Sequence, residues 1–306
     1  MENNLVLDLR KGIAETEQYK AWIFPGGEIH FRFTDKFIQQ LVDSPHRADL
    51  FIIARMNNAT RFLFTCLIID AIAKDFDSTI HLVIPYFPYQ QADRDFAEGE
   101  PFALPTIIKL LSTTKVEQVL LFDPHSDVTP ALLQQAFPSV TVMDNSSFIQ
   151  EVIDNIAAEN NAHITESDEN DWTPSKNLTI LSPDAGAYKK IFKLAEKIKF
   201  LGSIECANKY RKPITNEVFT RLSTTDFGMR DVLIVDDICM GGATFISLAE
   251  QIRTANCGRL YLAVSHGVFN KGFETLEQHF DKIFTTNSFR SQYDGAKKLK
   301  VIDILQ

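Results

Sequence analysis

The sequence predicts an α/β fold of mainly parallel sheets flanked by helices, and three observations predict it. Short runs of continuous rather than alternating apolar, β-branched residues recur along the chain, as strands covered on both faces require. Between them lie helix-patterned stretches with apolar residues at three and four spacings. Several of the runs end in a polar or acidic cluster, and in open α/β sheets ligands sit beyond the carboxyl ends of the strands.

Taken in order, the strand runs are Leu50-Phe-Ile-Ile, Leu82-Val-Ile, Val119-Leu-Leu-Phe, Val140-Thr-Val-Met, Leu178-Thr-Ile-Leu, Ile198-Lys-Phe-Leu, Val232-Leu-Ile-Val and Leu260-Tyr-Leu-Ala-Val. Helices are expected from Ala59 to Lys74, Ala103 to Leu111, Ala187 to Ile198 and Thr244 to Ile252. The strand-end clusters are Pro85-Tyr-Phe, Asp123-Pro-His125, Ser182-Pro-Asp184, Asp236-Asp237 and Ser265-His266. From Asn155 to Lys176 Glu, Asp, Asn, Ser and Pro dominate, the apolar period lapses, and the stretch reads as a solvated connection. The expected organisation is therefore a domain over 1–154, a polar linker or insertion over 155–176 and a domain over 177–306. No fixed-period repeat interrupts this pattern.

Composition bounds the function. With 306 residues, 45% hydrophobic and 23% charged, the chain suits one large or two medium globular domains and excludes disordered, collagen-like and low-complexity classes. Lys+Arg 31 against Asp+Glu 40 gives a net charge of −9, which opposes a phosphate-backbone footprint, so no nucleic acid partner is expected. Met1-Glu-Asn-Asn-Leu has neither the basic start nor the apolar stretch of a secretory signal, and the most apolar helical stretch is cut by Asp70, so no membrane association is expected. Cys66, Cys206, Cys239 and Cys257 are scattered singly, without the spacing of a zinc site or a disulfide framework; a reducing cytoplasm is the expected location.

The strongest local signal is Val232-Leu-Ile-Val-Asp-Asp237-Ile-Cys-Met240-Gly-Gly-Ala-Thr244. A buried strand delivers two carboxylates, a glycine turn follows, and a helix opens at about Thr244. Glycines let several backbone N–H groups point at one spot, and the helix N-terminus adds partial positive charge, together making an anion cradle. Asp236 and Asp237 beside it can accept hydrogen bonds from a diol, so the pattern reads as a sugar phosphate site. The simpler reading is a strand-to-helix turn with Thr244 as N-cap and two solvated acids. No Lys follows the glycines, so the loop is not of the Walker type.

These residues resemble the phosphoribosyl-pyrophosphate binding motif, and the whole chain resembles a divergent ribose-phosphate pyrophosphokinase. Seven segments appear in that family's order: Phe24-Pro-Gly-Gly-Glu28, Ile84-Pro-Tyr-Phe-Pro-Tyr89 with Asp93-Arg94, Asp123-Pro-His125, Ser182-Pro-Asp184-Ala-Gly186, Lys209-Tyr-Arg211, the Asp236 loop and Ser265-His-Gly-Val-Phe269. The resemblance implies two phosphoribosyltransferase-like domains and transfer of the β,γ-diphosphoryl group of ATP to the 1-hydroxyl of ribose 5-phosphate. It implies that His125 and Asp184 hold a Mg²⁺ bound to ATP, and that Lys209 and Arg211 form, with His125, the catalytic set on and near a mobile loop. By the same likeness Phe24 and Glu28 meet adenine, Arg94 with its neighbour Asp93 contacts ATP, and Gln91 stands where an ATP-touching Arg is common. Asp236, Asp237, Met240, Gly241, Gly242, Ala243 and Thr244 would take the ribose phosphate.

Each of these residues also has an ordinary structural reading. His125 can be a strand-end histidine satisfied by backbone, Asp184 a helix cap before Ala187, Lys209 and Arg211 an exposed basic turn, and Phe24 core. Thr285, Thr286 and Ser288 lie near another strand end and read equally as a turn. Met240 replaces the family's usual Asp, Gly241 its usual Thr, and Gly26 an acidic or amide residue. A wider, less polar loop keeps open a second acceptor with a substituted 5-phosphate, such as ADP-ribose, which would place the chain in NAD salvage rather than nucleotide biosynthesis. A catalytically silent regulatory subunit and a phosphoribosyltransferase are the competing classes. The resemblance also implies a homo-oligomer, a dimer or an assembly of dimers, with a hint of apolar surface around Phe87-Pro-Tyr89 and Phe102.

Overall fold

A computed structural model of the chain describes residues 5–95, 97–161, 177–211 and 218–305. The chain divides into two compact units, Met1–Asp144 and Asn145–Gln306.

The first unit runs β1 (Leu5–Asp8), β2 (Tyr19–Ile23), β3 (Ile29–Phe33), α1 (Asp35–Val42), β4 (Ala48–Ile53), α2 (Ala59–Asp75), β5 (Ser78–Ile84), α3 (Ala103–Leu111), β6 (Gln118–Phe122), α4 (Val128–Ala136) and β7 (Ser139–Met143). Five strands form a parallel sheet in the order β1-β4-β5-β6-β7, while β2 and β3 pair antiparallel as a separate hairpin. β5 is buried without alternation from Leu82 to Ile84, whereas β4 alternates, Leu50 and Ile52 buried and Phe51 and Ile53 half-buried. Leu50, Ile52, Leu82 and Ile84 are buried against Phe64 and Ile68 of α2 and Leu104 of α3 in one core. Asn58 caps α2 by accepting the Arg61 N–H at 2.9 Å.

The second unit runs α5 (Ser146–Asn161), β8 (Leu178–Ser182), α6 (Ala185–Lys197), β9 (Ser203–Cys206), β10 (Asn208–Arg211), β11 (Val218–Arg221), β12 (Asp231–Cys239), α7 (Ala243–Thr254), β13 (Leu260–Gly267), α8 (Glu274–His279), β14 (Lys282–Thr286) and β15 (Leu299–Ile302). Six strands form a second parallel sheet, β15-β14-β13-β12-β8-β9, and β10 with β11 makes an antiparallel ribbon. Its central strand β13 is buried along its whole length.

Two sequence expectations are corrected. Ile198-Lys-Phe-Leu is not a strand but the C-terminus of α6: the Lys199 N–H bonds to the Glu196 carbonyl at 3.2 Å and the Phe200 N–H to the Ala195 carbonyl at 2.9 Å, with Lys199 at φ 54°. That is the hydrogen-bond pair which closes a helix on a left-handed residue. The strand follows at Ser203–Cys206, where a sheet edge demands fewer apolar residues. The division between units falls after Asp144, not after residue 154, and α5 continues through 155–161, the first part of the stretch expected to be a solvated connection. The helix persists because Phe148, Ile149, Val152, Ile153 and Ile156 keep the helical period and are buried. Lys282 binds Glu159 and Lys300 binds Asn155, tying that end of α5 to β14 and β15. The rest of that stretch, 162–176, lies outside the described residues.

Phe87 is 2% exposed, so of the region expected to favour self-association Tyr89 is the residue with open apolar surface. All four cysteines are free, and burial pushes the Cys66 thiol up to about 11 and Cys239 to about 12, with Cys206 and Cys257 raised as well, so none is a ready thiolate at neutral pH. No described helix is long and apolar enough to cross a membrane.

Candidate active site

In the second unit the site grows from unequal strand lengths. β12 pairs with β8 only as far as Ile234↔Leu181, but with β13 on to Cys239↔Gly267. Asp236 and Asp237 therefore lie inside the strand, on a portion that projects past β8, instead of following it as expected. Asp237 is 8% exposed and Asp236 half-buried, so the reading of two solvated acids fails. Asp236 accepts the Asp237 N–H at 2.9 Å. Burial first, then the charge of Asp237 and more distantly that of Asp184, hold the Asp236 carboxyl well above the usual carboxylate range.

Beyond the acids, α7 starts at Ala243 with Gly242 as N-cap at φ 80°, and no side chain caps it. Thr244 is thus inside the helix and is not the cap. Gly242 is required here on two counts: its left-handed backbone, and an added Cβ that would sit 3.0 Å from Leu276. An uncapped glycine start leaves the first-turn N–H groups for an anion. Asp184 does cap α6, accepting the Ala187 N–H at 3.0 Å, and the Ser182 hydroxyl donates to the Asp184 carbonyl at 2.7 Å. Its expected structural role is real, and its charge still reaches Asp236.

Behind the loop, β13 and β14 end in a buried polar lattice. The Ser265 carbonyl accepts the Thr286 hydroxyl at 2.6 Å and the Ser288 hydroxyl at 2.9 Å, while His266 Nδ1 and the Ser288 hydroxyl are 2.8 Å apart. Thr285 and Thr286 belong to β14 and are fully buried, so they are not the turn the sequence also allowed. The chain then returns to the loop: Val268 and Phe269 N–H groups bond to the Cys239 carbonyl at 3.0 and 3.1 Å, and Asn270 N–H to the Met240 carbonyl at 2.9 Å. Close packing depends on Gly267, where an added Cβ would overlap the Phe269 ring and come within 2.7 Å of Thr285 Oγ1. Gly267→Ala should lose about 1–3 kcal/mol of stability, read by denaturant unfolding; an unchanged midpoint would mean this strand end is loosely packed.

Lys209 and Arg211 lie on strand β10 of the antiparallel ribbon, paired with Thr220 and Val218, rather than on a loop. The ribbon is pinned at its base to α7: Gln251 accepts the Leu222 N–H at 3.0 Å and donates to the Thr220 carbonyl at 2.9 Å. Residues 212–217 of the expected flap lie outside the described residues.

In the first unit Phe24, Gly26, Gly27 and Glu28 form the turn between β2 and β3, where the Phe24 N–H bonds to the Glu28 carbonyl at 2.8 Å. Phe24 is 46% exposed, with Trp22 edge-on and His30 tilted at 5.5 Å, so it is not core. A Cβ on Gly26 would come within 2.5 Å of the Glu28 carboxylate, so the small residue leaves room for that acid. Two further loops are braced together. Gln90, fully buried, accepts the His125 N–H at 3.0 Å; the Ser126 hydroxyl donates to Asp93 at 2.7 Å; and Asp93 pairs with exposed Arg94 at 3.3 Å. Asp123, before His125, is buried at φ 42°, a position where non-glycine residues are uncommon. Gln91 is exposed. Sequence reasoning passed over Gln90, whose only signal was a second amide beside Gln91 in an otherwise apolar approach.

Two parallel sheets, the second ending in an acidic strand, a glycine turn and an uncapped helix, define a protein of two phosphoribosyltransferase-type units. Residues 13–114 match the N-terminal domain of ribose phosphate pyrophosphokinase. Over 263 residues the chain is 27% identical to the ribose-phosphate pyrophosphokinase of Mycoplasmopsis pulmonis, covering 84% of this chain and 74% of that one. It is 26% identical to the enzyme of the same name from Pyrococcus furiosus, covering 87% and 84%. The crystal structure of phosphoribosylpyrophosphate synthetase from Mycobacterium smegmatis has the same fold, with a TM-score of 0.73 at 18% identity over 99% of this chain and 95% of that one. Over most of its length the chain is similar to ribose-phosphate pyrophosphokinases, at the low identity of a divergent relative.

Proposed function

We propose that the chain is a diphosphotransferase that moves the β,γ-diphosphoryl group of ATP to the 1-hydroxyl of ribose 5-phosphate. The acceptor oxygen bonds to the β-phosphorus, the bridge to the α-phosphate breaks, the hydroxyl proton leaves, and the products are phosphoribosyl pyrophosphate and AMP. The observation that carries this reading is the pair Asp236–Asp237 on the projecting end of β12, running into a glycine turn at an uncapped helix start. Carboxylates accept from the 2,3-diol, and the first-turn amides of α7 take the 5-phosphate. Met240, 40% exposed at the loop's edge, adds no charge that would repel that phosphate.

Lys209 and Arg211 are proposed to meet the transferring phosphates, where negative charge is redistributed and positioned cations lower the barrier. ATP is assigned to the first unit: Phe24 as the stacking face for adenine, Glu28 as acceptor, Gln91 and Arg94 as polar contacts, with Asp93 orienting Arg94. Phe24→Ala should raise the KM for ATP about tenfold without lowering Tm, since the ring stands in solvent; a fall in Tm with unchanged KM would return Phe24 to a structural role.

Mg²⁺ is the proposed cofactor, with Asp184 and His125 as its protein ligands. Among the described residues no three His, Cys, Asp or Glu side chains form a metal site. The donor set nonetheless suits Mg²⁺, a hard ion that takes one or two carboxylates together with substrate phosphates instead of an all-protein cage. The mutual repulsion of Asp236, Asp237 and Asp184 favours a cation nearby. Bound with ATP, the ion would neutralise charge developing on the phosphoryl oxygens.

The test is AMP release from ATP and Mg²⁺ with ribose 5-phosphate, ADP-ribose or no acceptor, with products identified by mass. AMP with ribose 5-phosphate, beside a product heavier by a diphosphoryl group, is the expected result. Release only with ADP-ribose would move the chain to the substituted acceptor, and silence with both would make it a regulatory subunit.

A further inference from the structure

Lys271 is an exposed cation that has no carboxylate partner among the described residues, yet it is placed with care. Its chain segment is fastened to the glycine loop by three main-chain hydrogen bonds, from Val268, Phe269 and Asn270 to the carbonyls of Cys239 and Met240. Its methylenes lie along Gly241: a Cβ built there would be 3.2 Å from Lys271 Cδ and 3.4 Å from Cε. The ammonium is one bond further on, about 1.5 Å. Gly241 contributes no polar side chain to the loop, and the space such a side chain would occupy is bordered by the stem of Lys271 and by Asn270 Oδ1, 3.3 Å from the built Cβ. The positive end is thus carried by a stem that lies against the glycine turn, whose helix start offers amides but no side-chain cap.

From this we propose that Lys271 is a specificity-determining residue which pairs with the phosphate on C5 of the acceptor ribose, taking the part that a side chain at 241 would otherwise play. The proposal rests on the acceptor assignment made above. A lysine suits the position because an ammonium on a flexible stem pairs with phosphate as a point charge, without the fixed fork of arginine. Gly241 is then needed less for its backbone, since its φ is ordinary, than for the room it leaves to Lys271.

The test measures Kd by calorimetry for ribose 5-phosphate, ADP-ribose, ribose and ATP, with AMP release recorded in parallel. Lys271→Met keeps the methylenes against Gly241 and removes the charge. It should weaken binding of the phosphorylated acceptor about tenfold, while ATP and unphosphorylated ribose bind as before. Lys271→Arg should keep most of the affinity. Gly241→Ala, which crowds the lysine stem, should weaken acceptor binding in the wild-type background and weaken it less in Lys271→Met, a coupling that a merely structural role would not produce. A loss confined to ADP-ribose would still assign Lys271 to phosphate on C5 and identify the acceptor. Unchanged acceptor Kd in Lys271→Met, equal weakening of ATP, or no binding of either phosphorylated acceptor by wild-type protein overturns the proposal. Acceptor binding that depends on Lys271 without any AMP release would instead overturn the catalytic assignment and leave this one standing.

Discussion

Lys209→Ala should lower kcat by about 100-fold or more while changing the Kd for ATP by no more than a few fold. The two effects separate because the charge is needed where negative charge shifts during transfer, not where the nucleotide is first held. Single-turnover AMP release gives the first quantity and equilibrium binding of ATP the second. If affinity and turnover fell together, the lysine would be an ordinary nucleotide contact; if neither changed, β10 would be a structural ribbon only. Lysine to arginine is an informative companion, since a planar guanidinium cannot replace a point charge at every geometry.

Asp236→Asn should abolish acceptor turnover and at the same time make the protein harder to unfold. The wild-type carboxyl binds its proton more tightly folded than unfolded, because burial and the charge of Asp237 oppose ionisation. The native state is therefore the more protonated one, and stability falls as pH rises above the unfolded value near about 3.9. The amide escapes that penalty. Its Tm advantage should be small near pH 4 and grow to a few degrees by pH 8, measured in the absence of nucleotide and Mg²⁺. A Tm difference that does not grow with pH would mean that the acid is well accommodated, and the picture of carboxylates held in tension for a ligand would be wrong.

Much of this was legible in the sequence because the informative residues obey local rules. The runs at β8, β12 and β13 are continuous and apolar since both faces are covered, those at β4, β5 and β6 are apolar with one face less buried, and the glycine turn after Asp237 announces itself by composition. What escaped is what tertiary contact decides. Short strands such as β1 and β15 are too brief for periodicity to mark. Ile198-Lys-Phe-Leu looks like a strand and is a helix ending, because a left-handed lysine replaces the glycine that would have flagged it. α5 hides its helical period inside a polar composition. Gln90 and Lys271 carry no motif at all; their significance lies in a hydrogen bond to a residue far along the chain and in a stem laid against a glycine.

The projecting end of β12 has a consequence for local opening. Past Ile234 its register runs only with β13, so the segment bearing Asp236 and Asp237 shares its cooperative unit with the β13–β14 half of the sheet and not with β8 and β9. Fraying of the β8–β9 edge can proceed without disturbing the acids, whereas loosening of the lattice around Ser265, His266 and Ser288 would carry them with it. The amide protons of 236–239 thus report on the β13–β14 strand ends rather than on β8, and the two acids are insulated from disorder on one side of the sheet while remaining exposed to it on the other.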